Sequence, residues 1–207
     1  VICVNFLSPS QAYSQTSDSL VKSGIRYARL GLFDKAFKDY GKAIEIDPLN
    51  AQAYYNRAYD KTASGDFVSA IDDYDRALKL NPLDYDAYYN RGKVKNELGN
   101  FNEAIEDYNK ALSINPRFSD AYNGRGNSKY NTGSLSEAIN DYTKAIQMNP
   151  LNQHAYYNRA YSKYKLMMYE QSIDDYDKVV QINPDYNFAY YNRAYSKFAS
   201  KDYPGAI

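Results

Sequence analysis

Proline recurs at Pro48, Pro82, Pro116, Pro150 and Pro184, each thirty-four residues after the last. A fixed period of this length marks a chain built from copies of one small supersecondary unit, none able to bury its own apolar face and each obliged to stack on its neighbours. In this register, repeats open at Ser17, Ala51, Tyr85, Ser119 and Gln153, and a truncated sixth runs from Asn187 to Ile207. The nine residues AYYNRAYSK at 155–163 return letter for letter at 189–197.

The spacings inside the unit are helical. Small residues stand at Gly24, Ala58, Gly92, Gly126, Ala160 and Ala194, and again at Ala36, Ala70, Ala104, Ala138, Ser172 and Ala206. Tyrosines at Tyr40, Tyr74, Tyr108, Tyr142 and Tyr176 are each followed three residues later by Ala43, Ala77, Ala111, Ala145 or Val179. Small residues suit positions where two helices approach closely, and large ones fill the space between. Gly31, Gly65, Gly99 and Gly133 mark a left-handed helix end, so each unit reads as helix, tight turn, helix, closed by its proline. A fourteen-residue helix is roughly 20 Å long.

The slots for small residues, glycine, aromatic, alanine and proline together resemble the tetratricopeptide repeat, and the match runs from Ser17 to Ile207. The resemblance implies an all-α, right-handed α-solenoid of helix-turn-helix repeats, with first helices (A) lining a concave groove and second helices (B) forming the back. It also implies a fold that binds peptides and proteins. Two departures stand out. The family slot held by Tyr27 carries lysine in the other units, at Lys61, Lys95, Lys129, Lys163 and Lys197, whose stems are expected to cover the surface while the ammonium reaches water. The fifth unit has Met167 and Met168 where the turn glycine belongs, with Ser172 and Val179 for alanines, and is expected to be looser or differently bent.

Much of the repeated segment has a structural reading. Tyr54, Tyr88, Tyr122, Tyr156 and Tyr190 form a stripe expected to pack on the partner helix B. Arg57, Arg91, Arg125 and Arg159 precede Asp73, Asp107, Asp141 and Asp175 by sixteen residues, a spacing suited to guanidinium–carboxylate pairs between helices A and B. The same rule puts a partner for Arg193 just beyond Ile207. An aspartate paired with arginine is held ionised, which argues against a catalytic acid.

A second stripe, on another face of helix A, is left over for chemistry. It includes Tyr55, Asn56 and Tyr59 in the second unit, Tyr89 and Asn90 in the third, Tyr157, Asn158 and Tyr161 in the fifth, and Tyr191, Asn192 and Tyr195 in the sixth. Family geometry places these residues in the groove. Asparagine carries a donor and an acceptor, so a row of them can hold the peptide groups of an extended chain whatever its side chains. The row resembles the asparagine ladder in the superhelical part of O-linked N-acetylglucosamine transferase. The tyrosines add rigid amphipathic area at low entropic cost. Lys22 and Gly124 interrupt the row in the first and fourth units. A clamp for a terminal carboxylate, as in the chaperone-binding members of the family, lacks its lysines: the slots hold Val21, Tyr55, Tyr89, Gln52, Asp86 and Asp120.

Composition narrows the remaining classes. Twenty-five basic and twenty-five acidic residues give no net charge to draw the chain to nucleic acid or an anionic membrane. One cysteine, Cys3, and one histidine, His154, provide little for metal ligation or thiol chemistry, and no cofactor is called for. NGRGNSK at 123–129 lies mid-helix without the preceding strand of a phosphate loop. Residues 1–14 read as the tail of a secretory signal, or a disordered N-terminus: VICVNFL is apolar and Ala12-Tyr13-Ser14 has the small-x-small form of a cleavage site. Export to the periplasm or exterior follows from the first reading, and a cytoplasmic location otherwise. The expectation is therefore a non-enzymatic scaffold for a protein or peptide segment. The repeat arm of a larger enzyme or signalling protein, and a secreted glycan-binding module, are the alternatives.

Overall fold

The left-handed turns shape every hairpin. In the computed structural model, which describes residues 9–202 and 204–206, Gly31, Gly65, Gly99 and Gly133 take φ of 72°, 86°, 81° and 84°. The backbone there closes two reverse hydrogen bonds: Gly65 N–H donates to Thr62 O at 3.2 Å and Asp66 N–H to Lys61 O at 2.9 Å. These satisfy carbonyls that the helix end would otherwise strand.

The described residues are helical with no strand: α1 (Pro9–Arg29), α2 (Phe33–Ile46), α3 (Ala51–Ser64), α4 (Phe67–Leu80), α5 (Tyr85–Glu97), α6 (Phe101–Ile114), α7 (Ser119–Asn131), α8 (Leu135–Met148), α9 (Gln153–Lys165), α10 (Tyr169–Ile182) and α11 (Asn187–Ala199), then a 3-10 turn, Pro204–Ala206. The class is the expected all-α helical repeat. The apolar run VICVNFL, residues 1–7, lies outside the described residues, and α1 begins at Pro9, ahead of Ser17.

Two compact units divide the chain, Val1–Val94 and Lys95–Ile207. In the first, α1 packs on α2 and α3 on α4, with α2 against α3 and α1 beside α3. In the second, α7 packs on α8 and α9 on α10; α6 meets α7, α8 meets α9, α10 meets α11, and the first helices α7, α9 and α11 run side by side.

Each core is made of tyrosine set against alanine or glycine. Tyr40, Tyr74, Tyr108, Tyr142 and Tyr176 are buried, as are Ala36, Ala70, Ala104 and Ala138. Gly126 shows why the small slot is small: a Cβ there would lie 2.6 Å from the Tyr142 ring. Tyr122 rests on Ala145 and Ile146 of its partner helix α8, whereas Tyr156 touches both α8 and α10, so this stripe wedges between neighbouring B helices as well as onto its own. Tyr190 is 41% exposed.

The connections between repeats are pinned by side chains. Asp47, Asn81, Asn115, Asn149 and Asn183, just before the prolines, each accept from the backbone N–H two residues on, building the turn. Asn50 then caps α3 by accepting from Ala53 N–H, while its Nδ2 donates to Ser17 Oγ, which donates to Ala43 O. Asn152, Ser119 and Ala145 repeat this arrangement in the second unit.

The arginine–aspartate pairing holds at Arg57–Asp73, Arg125–Asp141 and Arg159–Asp175, each a two-point fork at 2.5–2.9 Å. The sequence does not announce that these arginines also reach backward by sixteen residues. Arg91 pairs with Asp75, Arg125 Nη1 donates to Asn109, Arg159 Nη1 to Thr143 Oγ1, and Arg193 pairs with Asp177. A single guanidinium thus ties helix A to one or both of the B helices that flank it, with a tyrosine ring under the cation in all five cases, Tyr54 to Tyr190.

Two expectations are corrected. Lys61, Lys95, Lys129 and Lys163 do not send their ammonium groups to water. They bind Asp73, Asp107, Asp141 and Asp175 at 2.8, 3.0, 3.0 and 2.8 Å, because a nearly buried carboxylate draws in every cation within reach. Nor does the fifth unit turn differently. Met167 takes φ of 60° in place of glycine, and Met167 and Met168 N–H make the same reverse bonds to Tyr164 and Lys163. Lys201 does likewise at 68°. Hairpin packing fixes the turn even where the side chain opposes it.

Candidate functional site

The leftover stripe of helix A consists of half-buried amides and partly exposed phenols. In the first unit, α3 presents Tyr55, Asn56 and Tyr59, and α5 presents Tyr89 and Asn90. Asn90 Nδ2 donates to Tyr55 OH at 3.0 Å, thirty-five residues back, and Asn56 Nδ2 donates to Gln52 O of its own helix at 2.7 Å. Tyr55 stands edge-on to Tyr74, ring centroids 6.0 Å apart. Lys93 Nζ sits 5.7 Å from the centre of the Tyr89 ring. Burial, then Asp86 and Asp84, push the Tyr55 hydroxyl pKa up to about 12, so it stays a protonated phenol. Tyr55, Asn56 and Tyr59 line a cavity of about 580 Å³ together with Phe33, Tyr40 and Asp60.

The second unit repeats the stitch. Asn192 Nδ2 on α11 donates to Tyr157 OH on α9 at 2.8 Å, again thirty-five residues back. Asn158 Nδ2 donates to Asn127 Oδ1 at 2.9 Å and to Asn123 Oδ1 at 3.2 Å on α7, where the fourth repeat has asparagines in place of tyrosines. Tyr157 is held between the rings of Tyr176 and Tyr186, and burial raises its hydroxyl pKa above the phenol value. Tyr191 and Tyr195 stack edge to face at 4.6 Å and share a hydroxyl–hydroxyl bond of 2.8 Å. With Asn192, Tyr161 and Tyr176 they line a cavity of about 190 Å³, and the buried Tyr176 hydroxyl has no hydrogen-bond partner among the described residues.

The candidate residues therefore gather in two sets, each with its own cavity. Among Asn56, Asn90, Asn158 and Asn192, every amide NH2 donates at least one hydrogen bond within the chain, and no side-chain carbonyl oxygen accepts one among the described residues. All four are half-buried. The internal use of their donors is a finding; the sequence gives no structural demand for asparagine at these positions.

This is stacked-hairpin packing with a polar face on the first helices, and sequence comparison agrees with it. A family model described as tetratricopeptide repeat matches residues 51–83, 85–118 and 154–186, and one described as TPR repeat matches residues 24–59 and 126–166. The chain belongs to the tetratricopeptide repeat family. No curated protein sequence matches it significantly. Solved structures share the fold at low identity. The pilF protein of Pseudomonas aeruginosa is 20% identical, with a TM-score of 0.81 over 94% of this chain and 89% of its own. A tetratricopeptide repeat protein from Parabacteroides merdae is 22% identical, with a TM-score of 0.79 over 93% and 76%. YrrB, a TPR protein with an unusual peptide-binding site, is 22% identical, with a TM-score of 0.72 over 87% and 96%.

As a tetratricopeptide protein, the chain has the fold of a protein-interaction scaffold. No described helix is long and apolar enough to cross a membrane, and no group of three or more metal-ligating side chains occurs among the described residues. His154 stands exposed, its ring edge-on to Tyr186. NGRGNSK lies inside α7.

Two side chains of these cavities were not anticipated there. Tyr176 enters from the core. Asp60 is the conspicuous one, a buried acid at a register held by Val94, Ser128, Ser162 and Ser196 in later repeats. Aligning the repeats by their thirty-four-residue period exposes that outlier.

Proposed function

We propose that the protein is a non-enzymatic scaffold whose first-helix face receives an extended peptide segment. Asn56, Asn90, Asn158 and Asn192 take its backbone N–H groups, and Tyr55, Tyr59, Tyr89, Tyr157, Tyr161, Tyr191 and Tyr195 supply contact area. The supporting observation is the recurring stitch from asparagine to the tyrosine thirty-five residues back, at Asn90–Tyr55 and Asn192–Tyr157. It fixes both side chains before any partner arrives, which lowers the entropic cost of binding, and it leaves the amide carbonyl and the second amide N–H to meet a partner. The peptide-binding site of YrrB, on the same fold, supports the same reading. The small-x-small pattern Ala12-Tyr13-Ser14 supports export as part of this proposal, checked by N-terminal sequencing of the mature protein.

The test is a displayed random peptide library panned on the chain, followed by fluorescence anisotropy with the selected peptides. Replacing both Asn158 and Asn192 by alanine weakens binding by about 10-fold or more, the equivalent of one to two hydrogen bonds. Because the variant also loses three internal hydrogen bonds, its melting temperature falls as well, and affinities are compared at a temperature where both proteins are folded. Undiminished affinity in the double variant would remove the asparagines from the mechanism.

A further inference from the structure

Asp60 is 8% exposed, and its Oδ2 accepts a hydrogen bond from the Tyr40 hydroxyl at 2.7 Å. No lysine or arginine pairs with it among the described residues, unlike Asp73 on the adjacent helix, which holds both Arg57 and Lys61. The same register carries the exposed Arg26 in the first repeat and uncharged residues from Val94 onward. A carboxylate withdrawn from water with one neutral donor is poorly compensated, and burial accordingly raises the pKa of Asp60 from its ordinary value, against the opposing hydrogen bond from Tyr40.

The acid forms part of the wall of the 580 Å³ cavity, alongside Phe33, Tyr55 and Tyr59. Ring faces of this kind attract organic cations. The charges of Asp86 and Asp84 also reach the Tyr55 hydroxyl and add to the negative potential there. Arg29, exposed, is the only basic residue lining the cavity.

We propose that this cavity is a subsite for a basic side chain, lysine or arginine, of the bound segment, with Asp60 as its counter-ion and Tyr55 and Tyr59 as its walls. The assignment rests on the reading of the first-helix face as a peptide site, and specifies which residue type the first unit selects. An entering ammonium or guanidinium meets the second oxygen of Asp60 and supplies the charge that the fold withholds.

The test titrates isotope-labelled full chain with Nα-acetyl-lysine methylamide, Nα-acetyl-arginine methylamide and the neutral Nα-acetyl-norleucine methylamide, following the Asp60 carboxyl and tyrosine ring signals by NMR. The basic amides shift the Asp60, Tyr55 and Tyr59 signals saturably, and norleucine amide binds about 10-fold more weakly, the value of one charge-assisted hydrogen bond. Asp60→Asn, or Asp60→Ser as in three later repeats, abolishes that preference while the protein stays folded. Equal binding of norleucine amide, shifts confined to other residues, or an unchanged preference in both variants overturns the subsite. The two readings fail separately. Selected peptides that bind without any preference for lysine over norleucine overturn the subsite and leave the groove reading standing. Basic amides that bind at Asp60 when no peptide binds overturn the groove reading and support the subsite.

Discussion

Arg159 grips Asp175 at two points, Nε to Oδ2 at 2.9 Å and Nη2 to Oδ1 at 2.6 Å, while Lys163 Nζ reaches the same Oδ2 at 2.8 Å. Asp175 is only 5% exposed at its side chain, so its charge depends on these partners. Removing one partner of a buried pair costs roughly 3–5 kcal/mol because the other charge is left behind. With Lys163 still in place, Arg159→Ala is expected at the lower end, about 3 kcal/mol by urea denaturation. A loss under about 0.5 kcal/mol, the level of an exposed pair, would show that the fork contributes little.

Met167 is the reverse case, a position where the native residue is worse than its replacement. Its φ of 60° places a side chain in the left-handed region, and that side chain is 75% exposed with little packing to lose. Met167→Gly restores the residue found at Gly31, Gly65, Gly99 and Gly133, and is expected to stabilise the protein by about 1 kcal/mol. Thermal melting of the two proteins side by side reads this directly; a lower melting temperature for the glycine variant contradicts it.

Gly126 tests the close approach of α7 to the core. A Cβ 2.6 Å from the buried Tyr142 ring has nowhere to go, since the ring is itself enclosed. Gly126→Ala is expected to cost about 1–3 kcal/mol despite alanine's better helix propensity. Pairing it with Gly41→Ala, in α2 where no heavy atom lies within 4 Å of the added Cβ, separates the two effects: the second substitution should be neutral or stabilising.

Asp60 gives stability a particular pH dependence. Burial raises its folded-state pKa above the unfolded value near 3.8, so the folded chain holds this proton more tightly than the unfolded one. The favourable contribution is complete below the unfolded pKa and disappears as pH rises through the folded value. Asp60→Asn removes this dependence while keeping an oxygen for Tyr40. The variant should therefore melt higher than the parent at pH 7, with the gap closing toward pH 4. A gap of the same size at both pH values would contradict the assignment.

Repetition made the fold legible. Five tyrosines from Tyr40 to Tyr176, each three residues from an alanine or valine, announce packed helix pairs, and Gly65 or Gly99 announces the bend between them. The forward pairs Arg57–Asp73 and Arg159–Asp175 follow from a constant offset of sixteen. Their backward contacts do not, because the partner changes from Asn109 to Thr143 to Asp177 and no single residue type recurs. Lys163 misled for a related reason: its slot predicts coverage of a surface, but the side chain is long enough to find a carboxylate one helix away. At the candidate site the sequence indicates a face and an amide row. That Asn90 would spend its donor on Tyr55 depends on the spacing of neighbouring helices, which a linear pattern does not encode.

The stitch between Asn192 and Tyr157 uses one of the two amide hydrogens and leaves the side-chain carbonyl oxygen without a donor among the described residues. On the proposed reading that oxygen meets an N–H of the visiting strand, so a stretch interrupted by proline, which has no N–H to give, is expected to find fewer footholds. A site of that kind would sort candidate tails by backbone before any side chain is inspected.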